Sequence, residues 1–184
     1  MSVAGRRPRR PRVPRERPLL DAKAAKLAAV DLLARKAWGT RELTQRLMRR
    51  GAAPDVARAV VADFQSRGYL DDEAFARWWA QARAQGRRVG SLRLRRELFA
   101  KGMPAGLTAA AIAAAFEEQS ESDKALEAGR RRLPALRRSA PDRVPARLSG
   151  YLLRRGYPPS TVRDVVKRLI GADLGDAPDE ADSV

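Results

Sequence analysis

Three segments of this chain repeat one pattern: Glu42-Leu43-x-x-x-Leu47-x-x-x-Gly51, Arg93-Leu94-x-x-x-Leu98-x-x-x-Gly102 and Arg147-Leu148-x-x-x-Leu152-x-x-x-Gly156. The glycines stand 51 and then 54 residues apart. Leucines at i and i+4 share one face of a helix, so each segment is predicted to be a short helix with a two-leucine anchor. Each also ends in a basic residue followed by glycine (Arg50-Gly51, Lys101-Gly102, Arg155-Gly156). That pair suits a helix C-terminus, where glycine takes the left-handed turn and a cation meets the negative end of the dipole. A period of about fifty residues points to a tandem array of supersecondary units.

The flanking sequence completes the units. A helix is predicted ahead of each leucine helix, at about 23–37, 72–85 and 122–132, and another after each glycine, at about 54–67, 105–118 and 159–170. Pro54 and Pro159 suit the opening of the later helices. In the first helix Leu27, Val30, Ala34 and Trp38 fall in line as the expected core face. Thr40 and Ser91 are expected N-caps, and Ser120 with Asp123 resembles a capping box. Gly129, Pro134, Pro141 and Pro145 are expected to interrupt and lengthen the third unit. No strand-like alternation competes. The predicted fold is all-α: three tandem three-helix, helix-turn-helix-like repeats at 19–68, 69–118 and 119–171, forming an elongated curved array. Each unit is expected to need its neighbours to close a core.

Charge limits the function. The net charge is +16, from 38 Lys+Arg against 22 Asp+Glu. Residues 1–18 hold seven arginines among prolines and are expected to be a disordered basic arm, and residues 172–184 an acidic disordered tail. The stretch between them is itself strongly basic, which points to a polyanionic partner. There is no Cys and no His, which removes disulfides, thiol chemistry and the commonest general base. With no apolar leader and no run long enough to span a bilayer, the expected location is the cytoplasm, with no membrane partner.

The most distinctive stretch is Arg67-Gly68-Tyr69-Leu70-Asp71-Asp72-Glu73-Ala74-Phe75-Ala76. Gly68 ends one helix and Asp71 or Asp72 starts the next; a helix start explains these acids better than a metal cluster does. Phe75, Trp78 and Trp79 follow at i, i+3 and i+4, which favours core packing with one tryptophan left partly exposed. Together with Gly90-x-x-x-Leu94-x-x-Glu97-Leu98-x-x-Lys101-Gly102, the signature residues Gly68, Tyr69, Asp71, Asp72 and Phe75 resemble the RecX family of bacterial RecA regulators over about residues 23–170. The resemblance implies a non-enzymatic, cofactor-free, modular helical protein. It would bind the RecA–single-stranded DNA filament and restrain its ATPase, strand exchange and coprotease activities in DNA repair and the SOS response. A monomer is expected. The arm and acidic tail depart from the family pattern.

The candidate contact residues are basic. With Leu94 at zero, Leu98 lies at about 40° around the helix, and Arg96 and Arg93 at about 200° and 260°, on the far side. Arg87 and Arg88 precede them and Lys101 follows. Arg46, Arg49 and Arg50 in the first repeat and Arg154 and Arg155 in the third complete the expected partner surface for RecA and single-stranded DNA, with double-stranded DNA left open. An ordinary solvated face is the alternative for any one arginine. A sequence-nonspecific DNA-binding module, acting by competition for single-stranded DNA, is the alternative function. Base readout is disfavoured because the post-glycine helices lack Asn and Gln beside Arg. A carboxylate–metal nuclease using Asp63, Asp71 and Asp72 is the remotest class.

Overall fold

The computed structural model describes residues 19–174. Among them are nine α-helices and one 3₁₀ turn: α1 (Ala22–Arg35), α2 (Thr40–Arg49), α3 (Pro54–Ser66), α4 (Asp72–Gly86), α5 (Ser91–Ala100), α6 (Ala105–Ala115), α7 (Glu121–Ser139), the turn Pro141–Arg143, α8 (Val144–Arg155) and α9 (Pro159–Leu174). The fold is an all-α helical repeat. The expected arm at 1–18 lies outside the described residues. So does 175–184, whereas α9 runs three residues into the stretch read as acidic tail.

The leucine helices are α2, α5 and α8. Leu43, Leu47, Leu94, Leu98, Leu148 and Leu152 are all fully buried. At about 1.5–3 kcal/mol for a fully buried leucine, these pairs are a main source of each unit's stability. Each helix ends in a Schellman motif. The N–H after the glycine donates back to the leucine carbonyl (Ala52 to Leu47, Met103 to Leu98, Tyr157 to Leu152), and the glycine N–H closes the inner bond. Gly51, Gly102 and Gly156 sit at φ +107°, +85° and +87°, where an L side chain is strained.

Contrary to expectation, each unit has a core of its own, with Leu70 at the start of the second unit packing into the first. The buried apolar residues form three separate clusters. One runs from Ala25 to Leu70, one from Phe75 to Ala115 and one from Ala125 to Leu169, each closed by three helices of one unit. Contacts between units are polar and glycine-mediated instead.

Three local expectations also fail. The face of α1 that packs is Ala25, Ala29 and Leu32, while Leu27 and Val30 are 64% and 53% exposed. Alanine permits a closer helix approach, so the bulkier stripe is turned outward. Helix α7 does not break at Gly129 or Pro134. A Cβ at Gly129 would run into Leu169 of α9, so glycine is the crossing point of two helices. Buried Leu133 and Leu136 hold the turn around Pro134 despite its missing donor. Thr40 and Ser91 are not side-chain caps of their helices. The cap positions are Gly39 and Gly90, which offer no side chain.

Candidate functional site

The leucine helices are docked tail to head. The end of α8 meets the start of α5: Gly90 N–H donates to the Arg155 carbonyl at 2.9 Å, and Leu92 N–H to the Gly156 carbonyl at 3.0 Å. A Cβ on Gly90 would overlap the backbone of Gly156 and Tyr157, so only glycine admits this approach. The end of α5 likewise meets the start of α2, where Gly102 lies on the Arg41 side chain and Met103 on Gly39. Missing caps arrive from the following unit. The Asp72 carboxylate accepts Thr40 N–H at 2.8 Å and its hydroxyl at 2.6 Å, and the Glu121 carboxylate accepts Ser91 N–H at 2.6 Å. Of the signature acids, Asp71 caps its own helix by accepting from Glu73 and Ala74 N–H.

These junctions absorb several residues expected to face a partner. Lys101 is largely buried, bonds Glu42 across the first junction at 3.0 Å and stands 4.1 Å from the centre of the Trp79 ring. Burial alone would raise the Glu42 carboxyl, but hydrogen bonds and charge from Lys101 and Lys36 outweigh it and hold it below the usual range. Arg88, at φ +48°, pairs with Glu127 at 3.2 Å across the second junction, and its carbonyl accepts the Tyr157 hydroxyl at 3.0 Å. Arg155 donates to the Arg87 carbonyl and lies against the Tyr151 ring. Arg93 pairs with Glu97 at 3.0 Å and is packed against Gly156. Arg50 reaches Asp31 at 3.4 Å. Arg46, Arg87, Arg96 and Arg154 are exposed, as is Arg49. The ten candidates thus divide among inter-unit contacts, one pair within the first unit (Arg50 with Asp31) and exposed positions.

The acids proposed for a nuclease are scattered in structural roles. Asp63 is held below the usual carboxylate range by its hydrogen bonds from Lys26 and Arg67. Among the described residues no group of three or more His, Cys, Asp or Glu could hold a metal ion.

The tryptophans divide as expected. Trp79 packs on the second core, stacked 5.9 Å from Phe75, and donates to Glu97 at 3.2 Å. Trp78 is 56% exposed. It borders an apolar groove of about 800 Å³ between the first two units, with Val30, Leu33, Trp38, Tyr69 and Phe75. Signature residue Tyr69 is therefore a groove wall, 5.6 Å from Phe64. The outward stripe of α1 supplies the opposite wall.

Sequence reasoning missed where the charge lies. Residues 69–118 hold eight Lys+Arg against six acids, whereas residues 119–171 hold 13 against five. Arg132, Arg143, Arg147 and Arg154 line one groove between α7 and α8, of about 420 Å³. The i, i+4 spacing of Arg143 and Arg147 was the available signal.

Comparison with known proteins agrees with this architecture. Residues 71–112 match the model of the second three-helix domain of RecX and residues 119–166 that of the third. The regulatory protein RecX of Streptomyces coelicolor is 33% identical over 130 residues, covering 71% of this chain and 69% of that one. The same protein of Mycobacterium avium is 31% identical over 150 residues, covering 81% and 86%. The crystal structure of RecX from Lactobacillus salivarius superposes with a TM-score of 0.70 over 83% of this chain and 97% of that one, at 12% identity. At this identity and coverage, the chain belongs to the RecX family of regulatory proteins.

Proposed function

We propose that this chain is a negative modulator of a RecA recombinase that acts by binding and catalyses no reaction. In this reading it engages the RecA filament on single-stranded DNA in the cytoplasm, as a monomer. It lowers the filament's ATPase, strand exchange and coprotease activities, and through them affects DNA repair and the SOS response. Arm, three units at 19–68, 69–118 and 119–171, and acidic tail are the functional divisions of the same proposal.

The observation that carries the reading is the split between two kinds of surface. The groove beside Trp78 and Tyr69 offers apolar area of the kind proteins dock on, while the third unit offers a strong excess of arginine. A recombinase filament presents protein and phosphate along one axis, so a chain touching both gains through linked contacts. Exposed Arg46, Arg87 and Arg96 are candidates for contact along the first two units.

The test is the ATPase of RecA at concentrations that already saturate a single-stranded oligonucleotide. Addition of this protein well below one molecule per protomer is expected to lower the steady-state rate. Arg46→Glu, Arg87→Glu and Arg96→Glu together should relieve the inhibition without changing the melting temperature. Inhibition seen only when this protein meets bare DNA first would favour simple competition for the strand.

A further inference from the structure

We infer that the α7–α8 groove of the third unit binds the phosphodiester backbone of a nucleic acid. Its lining is Arg132 and Leu136 from α7, then Arg143, Ala146, Arg147, Gly150, Tyr151 and Arg154 at and along α8. No carboxylate lines it. In the first two units many of the described cations are paired with an acid: Lys26 with Asp63, Arg35 and Arg50 with Asp31, Lys36 and Lys101 with Glu42, Arg83 and Arg93 with Glu97. In the third unit the only carboxylate in an ion pair, among the described residues, is Glu127. It draws Arg88 and Arg131 to itself and leaves the four groove arginines without an acid.

Four guanidinium groups around one concavity repel one another, and that cost is relieved by an anion with several charges. The shape of the set indicates which anion. Arg143 at the N-cap of α8 and Arg147 and Arg154 within it lie along 11 residue steps, about 16 Å at the helical rise. A single phosphate or carboxylate meets one or two of these groups, whereas a phosphodiester chain laid along the helix meets all of them. Two features keep the row open. Arg132 lies against the Tyr151 ring, and Gly150 has no side chain, so the Arg154 guanidinium folds back over the position a Cβ would crowd. Arginine's planar donor fork suits phosphate oxygens, and backbone contacts of this kind carry affinity without base sequence.

This inference gives the nucleic-acid half of the proposed function a location and rests on that reading. Its test contains no recombinase, so the two fail separately. The full chain is titrated into a fluorescein-labelled 30-mer of thymidylate at several salt concentrations, followed by anisotropy. Arg143→Gln, Arg147→Gln and Arg154→Gln together should reduce the slope of log affinity against log salt by about 2, the loss of three single-strand phosphate contacts. The charge-matched control Arg163→Gln, Lys167→Gln and Arg168→Gln removes three exposed cations from α9 of the same unit. It should leave most of the slope. Equal losses in the two triples would overturn the inference, because net charge alone would then explain binding. So would displacement of the oligonucleotide by inorganic phosphate beyond the effect of equal ionic strength, which marks a single-anion site. Displacement by a synthetic peptide of residues 172–184 at micromolar concentration would overturn it as well, by assigning the groove to acidic polypeptide.

Discussion

The carboxylate of Asp72 caps the helix that begins at Thr40, 32 residues earlier, and does so from the first turn of a helix in another unit. Glu121 repeats the arrangement for Ser91. Two adjacent acids, Asp71 and Asp72, therefore close two different helices. Replacing Asp72 with alanine should cost about 1–2 kcal/mol, as loss of a cap does. The distinguishing measurement is hydrogen exchange: amides in the first turn of α2 should exchange faster while those of α4 stay protected. Asp71→Ala should reverse the pattern.

The junction around Glu42 should be acid-sensitive. Its folded carboxyl titrates below the ordinary 4.5, so the unfolded chain takes up the proton first as pH falls. The contribution of the Lys101 and Lys36 contacts is complete above that value and is lost progressively below it. Glu42→Gln should therefore lower the melting temperature at pH 7 and flatten its decline between about pH 5 and 3. A parallel decline in both proteins would contradict the assignment.

At the other extreme of pH the second junction should yield. Burial is the main cause that pushes the Tyr157 hydroxyl well above its ordinary value of 10, with the Glu121 charge next. The unfolded tyrosine then ionises first, so stability is full below pH 10 and falls as pH rises past it. Tyr157→Phe gives up the bond to the Arg88 carbonyl, about 1 kcal/mol at neutral pH. It should remove the part of the alkaline loss that belongs to this group, as thermal melts from pH 8 to 11 would show.

Separate cores predict a local response to core damage. Leu98→Ala should cost about 2–5 kcal/mol. Because Leu98 packs only within the cluster from Phe75 to Ala115, exchange protection should fall in α4, α5 and α6 and persist in α7 to α9. Uniform loss across all nine helices would mean that the units fold as one.

The architecture was legible because its signals are local. Leucine spacing, terminal glycine and an acidic helix start at Asp71 or Asp72 each act within a turn or two of chain; the structure uses the first two as read and chooses Asp71 as the cap of α4. The face of α1 was not legible for a physical reason. In Ala-Lys-Ala-Ala-Lys-Leu-Ala-Ala-Val-Asp-Leu-Leu-Ala an alanine stripe and a bulkier stripe both run the helix length, and side-chain size favours the wrong one. Close approach to the rest of the unit selects Ala25 and Ala29.

The candidate surface was only half legible. Placing Arg93 opposite the leucines was correct for one helix, yet the next unit docks on that side, so facing away from one core did not mean facing solvent. Lys101, Arg88 and Arg155 were taken up by partners 59, 39 and 68 residues away, which no helical wheel contains. Of the groove arginines only Arg154 was among the expected contacts; Arg132 reaches the α8 row only after the chain turns through Pro141–Arg143.

The leucine–glycine register places Thr40, Ser91 and Pro145 at one position, and Gly39, Gly90 and Val144 at the position before it. In the first two units that pair is a glycine admitting a neighbour and an N–H awaiting its carboxylate. In the third it is a β-branched side chain and an imino acid. A tail-to-head contact is heterologous and, left open, propagates without limit. Val144 interrupts it: another molecule offering its own Arg50-Gly51 end would meet a Cβ where a cleft is required, and Pro145 has no N–H for a capping carboxylate. At that other end Leu20 already donates to the Gly51 carbonyl. Neither end of the described stack therefore repeats the geometry of the internal junctions.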